Sequence, residues 1–496
     1  MTEPCDLSAV QARQLIGTRK LSPVELLESC LRRIGAVNHA VNAMVAMDEE
    51  RARAAAQAAE EAVMRGDKLG PLHGLPLGIK DLDSTAGLVT TFGSPLFRDN
   101  VPKHDDHMVA DLRAAGGIVL GKTNTPEFGA GANTRNAVYG ATGNPFDPTR
   151  SAAGSSGGSG VALATGMVPL ASGSDTGGSL RNPAAFNGIV GFRPSPGLVP
   201  NGRRALGWSA LSVLGPMARD VGDLALMLSA IAGDDGVDPL AYTLPDVDVR
   251  RGMAWHEAVD LSSIRVAATV DFGFAPTERH IREVFASRLA ALTPLFASVE
   301  QRHPDCSGTD EAFAVLRAVS FLAGFDEKVR KDPNCVGPNV RANVEEGWGY
   351  SAADVARASV LQTQIYRRWQ QFFASGVDVI VSPAMTISPR PWSELYPTEI
   401  DGVATKSYFH WLANAYAVTV TGHPAISLPL GLDKAGMPFG FQIVGPRGGD
   451  ALVVAVAAAI EAAVAGDATL ARPVPDLAKL RDAGPISEMP GFLSFD

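Results

Sequence analysis

Two clusters of glycine and serine stand close together in the chain, Gly154-Ser155-Ser156-Gly157-Gly158-Ser159 and Gly173-Ser174-Asp175-Thr176-Gly177-Gly178-Ser179. Residues this flexible cost conformational entropy on folding. They mark either a linker or backbone that must pass close to something reactive. The second cluster follows the apolar run 167–172 (MVPLAS) and precedes Leu180-Arg181-Asn182-Pro183. A strand running into a Gly-Gly turn bunches several backbone N–H groups around one point, and such a nest stabilises a developing oxyanion. A serine at that point attacks a carbonyl while its own N–H joins the donor set. Alone, the second cluster reads most simply as a turn. Ser155, 24 residues before Ser179, and Lys80 in Leu77-Gly78-Ile79-Lys80-Asp81 make it part of a candidate constellation.

Two other motif matches do not hold in context. Gly116 to Thr123 (GGIVLGKT) fits the phosphate-loop pattern, but Ile118, Val119 and Leu120 occupy positions that should be a flexible loop. It reads as a strand ending in a turn. Gly154 to Gly158 fits the GxSxG elbow of serine hydrolases, yet the preceding NPFDPTRSAA cannot supply the strand that elbow needs.

The elements that must position these residues alternate. Residues 7–66 look helical, with Ser22-Pro23-Val24-Glu25 as a capping box. From about 72 to 200, short apolar runs (75–80, 117–122, 167–172, 187–192) are broken by Gly, Pro, Ser and Asn. A helix is expected at 220–232, and the strand 264–269 and a helix at 352–374 follow. The same strand texture returns at 377–383, 424–432 and 439–445, before a helix at 449–465. Strands alternating with helices predict an α/β fold, with a large mixed sheet covered by helices as one domain over 1–496. Its parts are an N-terminal helical segment (1–70), a core drawn from 70–235 and 375–465, and a helical elaboration over 245–375.

Composition narrows the partners. A net charge of −10 and no Lys/Arg run argue against nucleic acid or an anionic membrane surface. The start lacks a basic and an apolar region, and the run 451–460 is too short to span a bilayer, so a cytoplasmic protein is expected. Four cysteines and nine histidines show no metal-ligand spacing, so no metal is expected.

Taken in order, the motifs resemble the amidase signature family. The resemblance rests on GIKD (78–81), GKTNTPE (121–127), GNP (143–145), GSSGGS (154–159), DTGGSLRNPAA (175–185), GIVGFRPS (188–195), PAISLP (424–429) and GFQIVG (440–445). It implies a Ser–cis-Ser–Lys triad, with Ser179 as nucleophile, Ser155 as the bridging serine after a cis peptide, and Lys80 as base. A lysine is a base only when neutral, so its ordinary pKa of about 10.4 must fall through burial away from carboxylates. Leu77 and Ile79 beside it suit a buried strand end. The resemblance also implies oxyanion donors at Thr176, Gly177, Gly178 and Ser179, and supporting roles for Ser156, Asp175 and Arg181. Arg181 reads equally well as a surface or helix-start residue, and Asp81 as structural. No cofactor is required.

The implied reaction is hydrolysis of a carboxylic amide through an acyl-enzyme. A second reading is the glutaminase subunit of a tRNA-dependent amidotransferase, which shares the signature. Such subunits usually continue from the lysine as KDN, whereas this chain has Lys80-Asp81-Leu82. A stand-alone amidase is therefore favoured, with esters, carbamates and anilides as alternative substrates and a homo-oligomer left open. A degenerate binding protein would not keep all three triad residues. The pocket is expected at Phe128, Gly129, Ala130 and Gly131 and in the region 300–415, where Tyr408, Phe409 and Trp411 read as an aromatic wall or as core. No basic residue stands out to receive a carboxylate.

Overall fold

The computed structural model describes residues 3–243 and 259–493. Eleven strands form one mixed sheet. In chain order they are β1 (Met44–Met47), β2 (Pro76–Lys80), β3 (Ile118–Thr123), β4 (Leu170–Asp175), β5 (Val190–Arg193), β6 (Val213–Ala218), β7 (Arg265–Ala268), β8 (Ser298–Gln301), β9 (Val379–Pro383), β10 (Ala425–Leu432) and β11 (Pro438–Val444). Their spatial order is β1-β3-β2-β4-β6-β5-β10-β11-β9-β7-β8. Strands β3, β2 and β4 run parallel, as do β9, β7 and β8, and every other pairing is antiparallel. The sheet thus draws its centre from both ends of the chain, and the α/β class expected from the sequence is the one observed.

Fourteen helices among the described residues cover the sheet. They are α1 (Ala9–Gly17), α2 (Pro23–Val41), α3 (Glu49–Arg65), α4 (His107–Ala114), α5 (Gly157–Ala164), α6 (Arg181–Asn187), α7 (Val221–Ile231), α8 (Arg279–Leu292), α9 (Thr309–Lys331), α10 (Pro338–Trp348), α11 (Ala352–Ala374), α12 (Ala413–Thr421), α13 (Asp450–Val464) and α14 (Leu477–Asp482). Capping boxes open α1 at Ser8 and Gln11 and α2 at Ser22 and Glu25, satisfying N–H groups that the first turn leaves free. Strands β2, β3, β4 and β5 are buried almost throughout because helices lie on both faces of the sheet. None of the helices is long and apolar enough to cross a membrane.

Several strands depart from the expectations. The helical reading of 7–66 misses β1, whose four residues lie between two strong helices. The segment 245–375 is not only a helical cover, since β7 and β8 join the main sheet; its residues 245–258 lie outside the described residues. Strand β4 runs on to Asp175, because its ladder with β6 continues to the Asp175–Val213 pair. Glycine, serine and aspartate carry no apolar periodicity to announce that extension.

The fold also disposes of both decoys. The apolar residues of GGIVLGKT lie in β3, buried along its whole length. No strand directly precedes Ser155.

Candidate active site

Lys80 is the last residue of β2, and Asp175 ends the parallel neighbour β4. Both ends therefore point to the same edge of the sheet, where the loops leading to α5 and α6 gather. The Lys80 ammonium group is fully buried. Its Nζ lies 2.7 Å from Ser155 Oγ, 2.8 Å from Ser156 Oγ and 2.9 Å from Ser174 Oγ. No carboxylate among the described residues pairs with it. Burial lowers its pKa to about 7, against the weaker upward pull of Asp83 and Asp175. A neutral amine has two N–H donors and one lone pair, which matches three hydroxyl partners.

The neighbouring carboxylates are held away. Asp81 accepts from Thr91 N–H at 3.1 Å and from Thr91 Oγ1 at 2.5 Å. Asp83 pairs with Arg203 at 2.8 Å and accepts from Ser172 Oγ at 2.9 Å. Ser172 in turn accepts the Lys80 backbone N–H at 2.9 Å, fixing the strand end.

Ser155 follows a cis peptide bond after Gly154 and is 2 % exposed. Gly129 passes directly beside it: a Cβ there would lie 3.3 Å from Ser155 Oγ and 3.0 Å from Leu82, with φ at +72°. Ser156 precedes α5 and donates its N–H to the Ser179 carbonyl at 3.3 Å, joining the two Gly/Ser arms through the backbone. Ser179 is half-buried in the turn between β4 and α6, and its hydroxyl makes no hydrogen bond among the described residues.

The turn is locked from below by Asp175. This fully buried carboxylate pairs with Arg181 at 3.0 Å and Arg193 at 3.1 Å. Burial opposes its charge, but the two guanidinium groups win and hold the carboxyl well below the usual carboxylate range. It also accepts the N–H groups of Gly178 at 2.8 Å and Leu180 at 3.3 Å. The expected donor set is corrected here: the Gly178 N–H points at Asp175, leaving those of Thr176, Gly177 and Ser179 without a partner among the described residues. Gly178 shapes the turn instead. Its φ is +109°, and a Cβ would lie 2.4 Å from Asn182 Oδ1 and 2.5 Å from Ala415 Cβ.

Arg181 does begin α6, but it is fully buried and not a surface residue. Beyond Asp175 it donates to Gln442 Oε1 at 2.7 Å and to the Ala415 carbonyl at 3.0 Å. Asp175→Asn would leave two buried guanidinium groups sharing no anion. We expect a loss of about 3–5 kcal/mol of stability, read from urea unfolding, with activity falling alongside it.

A cavity of about 300 Å³ opens beside the turn. Thr176 and Phe128 line it, together with Arg204, Leu211, Arg317 and Phe321. Phe128 packs against Phe325 with ring centroids 4.6 Å apart. Gly177 faces Phe313, whose Cζ would be 3.1 Å from an added Cβ. Gly131 is not part of this wall: its φ is +118° and it abuts Asn339. Ala130 lies in a small apolar cluster with Val336 and Val340. Phe409 and Trp411 are core, one of the two readings the sequence allowed, while Tyr408 is half-buried and accepts from Asn343 Nδ2 at 2.6 Å. Two basic residues that the sequence did not single out, Arg204 and Arg317, line the cavity.

Sequence reasoning missed Ser174, Arg193 and Arg317. Ser174 shares a face of β4 with Ser172, a parity visible once the strand is known to reach Asp175. Arg193 closes an apolar strand, an unusual place for an unpaired charge. Phe313, Arg317, Phe321 and Phe325 recur at intervals of four, one face of a helix.

The family model for Amidase matches residues 25–454. The chain belongs to the amidase signature family. It is 34% identical over 465 residues to an acylamidase from Rhodococcus erythropolis, covering 92% of this chain and 95% of that one. It is equally 34% identical over 489 residues to a glutamyl-tRNA(Gln) amidotransferase subunit from Streptomyces avermitilis, with coverages of 92% and 95%. Among solved structures, a bacterial aryl acylamidase of the amidase signature family superposes with a TM-score of 0.85 at 27% identity, covering 92% of this chain and 96% of that one. The chain is thus an amide-hydrolysing enzyme of this family. Among its described residues, no group of three or more His, Cys, Asp or Glu is arranged to hold a metal ion.

Proposed function

We propose that this amidase is a stand-alone, cytoplasmic acylamidase acting on small aryl or aliphatic amides, with Ser179 as nucleophile and Lys80 as base through Ser155. The observation that carries it is the Lys80 amine, buried among three serine hydroxyls with no carboxylate partner among the described residues and a pKa of about 7. Near neutral pH much of it is unprotonated, so its lone pair accepts the Ser155 proton while Ser155 Oγ takes the proton of Ser179. Ser179 Oγ then bonds to the amide carbon. The oxyanion is met by the N–H groups of Thr176, Gly177 and Ser179, which bear no other partner among the described residues. Lys80 returns the proton through Ser155 to the leaving nitrogen as the C–N bond breaks. Water repeats the sequence on the acyl-enzyme, releasing the acid and restoring Ser179. Ser156 and Ser174 hold the amine on line, and Asp175 and Arg181 hold the turn.

The acylamidase relative and the aryl acylamidase structure support this choice of substrate. The amidotransferase relatives, matching at much the same identity, favour a second reading in which the chain releases ammonia from glutamine within a complex. The purified single chain should hydrolyse acyl anilides and simple aliphatic amides with kcat/KM at least about tenfold above that for glutamine. Activity restricted to glutamine, or appearing only with a co-purified second protein, would establish the other reading.

A further inference from the structure

Arg317 projects from the middle of α9 into the wall of the cavity beside Thr176, and it is 7 % exposed. Its guanidinium makes no hydrogen bond and no ion pair with any described residue, and Nη1 is buried without a partner. What surrounds it is aromatic. The rings of Tyr408, Phe409, Phe321 and Phe313 lie 4.6, 5.0, 5.1 and 6.0 Å from its central carbon. Burial lowers its pKa only to about 9, so it stays charged at neutral pH, with Glu346 the acid whose field reaches it. Glu346 is itself bonded to the Tyr350 hydroxyl at 2.7 Å.

A buried charge without a counter-ion is costly unless something compensates it. Aromatic faces supply part of that compensation, but they take none of the five N–H donors. The cavity's other cation, Arg204, is already paired with Asp238 and donates to the Ser209 carbonyl at 3.1 Å. Arg204 keeps only Nε without a partner, whereas none of the Arg317 donors is engaged by a described residue. A guanidinium fork fits a planar carboxylate through two parallel hydrogen bonds. Phe128, Leu211 and Phe321 line the same cavity and give it an apolar surface suited to a hydrocarbon or aryl spacer.

We infer that Arg317 is the substrate-specificity anchor of this enzyme: it receives a carboxylate carried on the non-reacting end of an amide whose apolar spacer fills the cavity. This rests on the reading of Ser179 and Lys80 as the hydrolytic machinery. Because the contact lies away from the reacting carbonyl, it strengthens substrate and transition state together and acts mainly on KM.

The test compares matched pairs on the whole enzyme. One arm places the carboxylate on the acyl side, setting C4–C8 diacid monoanilides against the corresponding neutral acyl anilides. The other places it on the amine side, setting 4-acetamidobenzoate against acetanilide. In at least one arm the carboxylate member should have kcat/KM higher by about 10- to 100-fold, mostly through KM. Arg317→Gln should bring that ratio to about one while neutral amides are still cleaved, and Arg317→Lys should keep part of it. A wild-type ratio of one in both arms, with Ser179-dependent cleavage of the neutral amides intact, overturns the anchor and leaves the reaction standing. Absence of any Ser179-dependent cleavage overturns the reaction instead. The anchor is then still decided by calorimetric binding of the monoanilides and of 4-acetamidobenzoate to Ser179→Ala. Tighter binding than the neutral partners, lost in Ser179→Ala/Arg317→Gln, supports it, and equal binding overturns it.

Discussion

Ser179→Ala is expected to lower kcat by about 10⁴-fold or more, with the folded state untouched. The magnitude follows from the proposed role: without Oγ no acyl-enzyme would form, and water would have to attack directly. The specificity of the effect follows from the structure. The Ser179 hydroxyl makes no hydrogen bond among the described residues, so its removal orphans nothing in the resting enzyme. Its N–H and carbonyl remain, and with them the bond from Ser156 that ties the two arms together. Steady-state kinetics on an anilide should therefore collapse while the thermal midpoint stays within a degree or two of wild type. A variant that lost both together would point to a structural serine.

Lys80→Met is expected to cost about 10³- to 10⁴-fold in kcat and to remove a pH dependence as well as a rate. In the wild type, kcat/KM should climb as pH rises through about 7, where the buried amine loses its proton, and level off above it. The residual activity of Lys80→Met should lack that limb. Stability carries the same signature with a definite sign. The folded pKa of Lys80, about 7, lies below its unfolded value near 10.5, so between them the unfolded chain binds a proton that the folded chain does not. Stability therefore rises with pH across that window, by about 1.4 kcal/mol per pH unit for this lysine. The difference in unfolding free energy between wild type and Lys80→Met should shift toward the wild type by that slope from about pH 7.5 to 9.5. Lys122, also fully buried and lowered to about 8, remains in both proteins and cancels from the difference.

These effects trace to residues that the sequence shows unequally. The two Gly/Ser arms were legible because so many small residues in one order are hard to explain as packing, and Lys80 because it ends an apolar strand. The central strands were visible for the same reason: buried on both faces, they read as short apolar runs. Strand β6, with Gly215 and Pro216 inside it, and the exposed edge strand β8 carry no such run and were not seen. Ser174 was hidden because its role depends on how far β4 extends, which the ladder with β6 decides. The direction of one N–H, that of Gly178, depends on where Asp175 settles between two arginines, a tertiary fact with no local trace. Gly131 shares the glycine-rich stretch with Gly129, yet only Gly129 approaches Ser155. Arg317 was written plainly in the fourfold spacing of α9. It was missed because a lone arginine among aromatic residues reads first as a solvated side chain on an amphipathic helix.

The most direct measurement is the site and pH dependence of labelling by a fluorophosphonate, whose phosphorus is attacked as an amide carbonyl would be. The wild type should gain one adduct, located by peptide mass on Ser179, at a rate that rises through about pH 7 and drops steeply in Lys80→Met. An adduct on Ser155, or labelling of Ser179 indifferent to both pH and Lys80, would contradict the account.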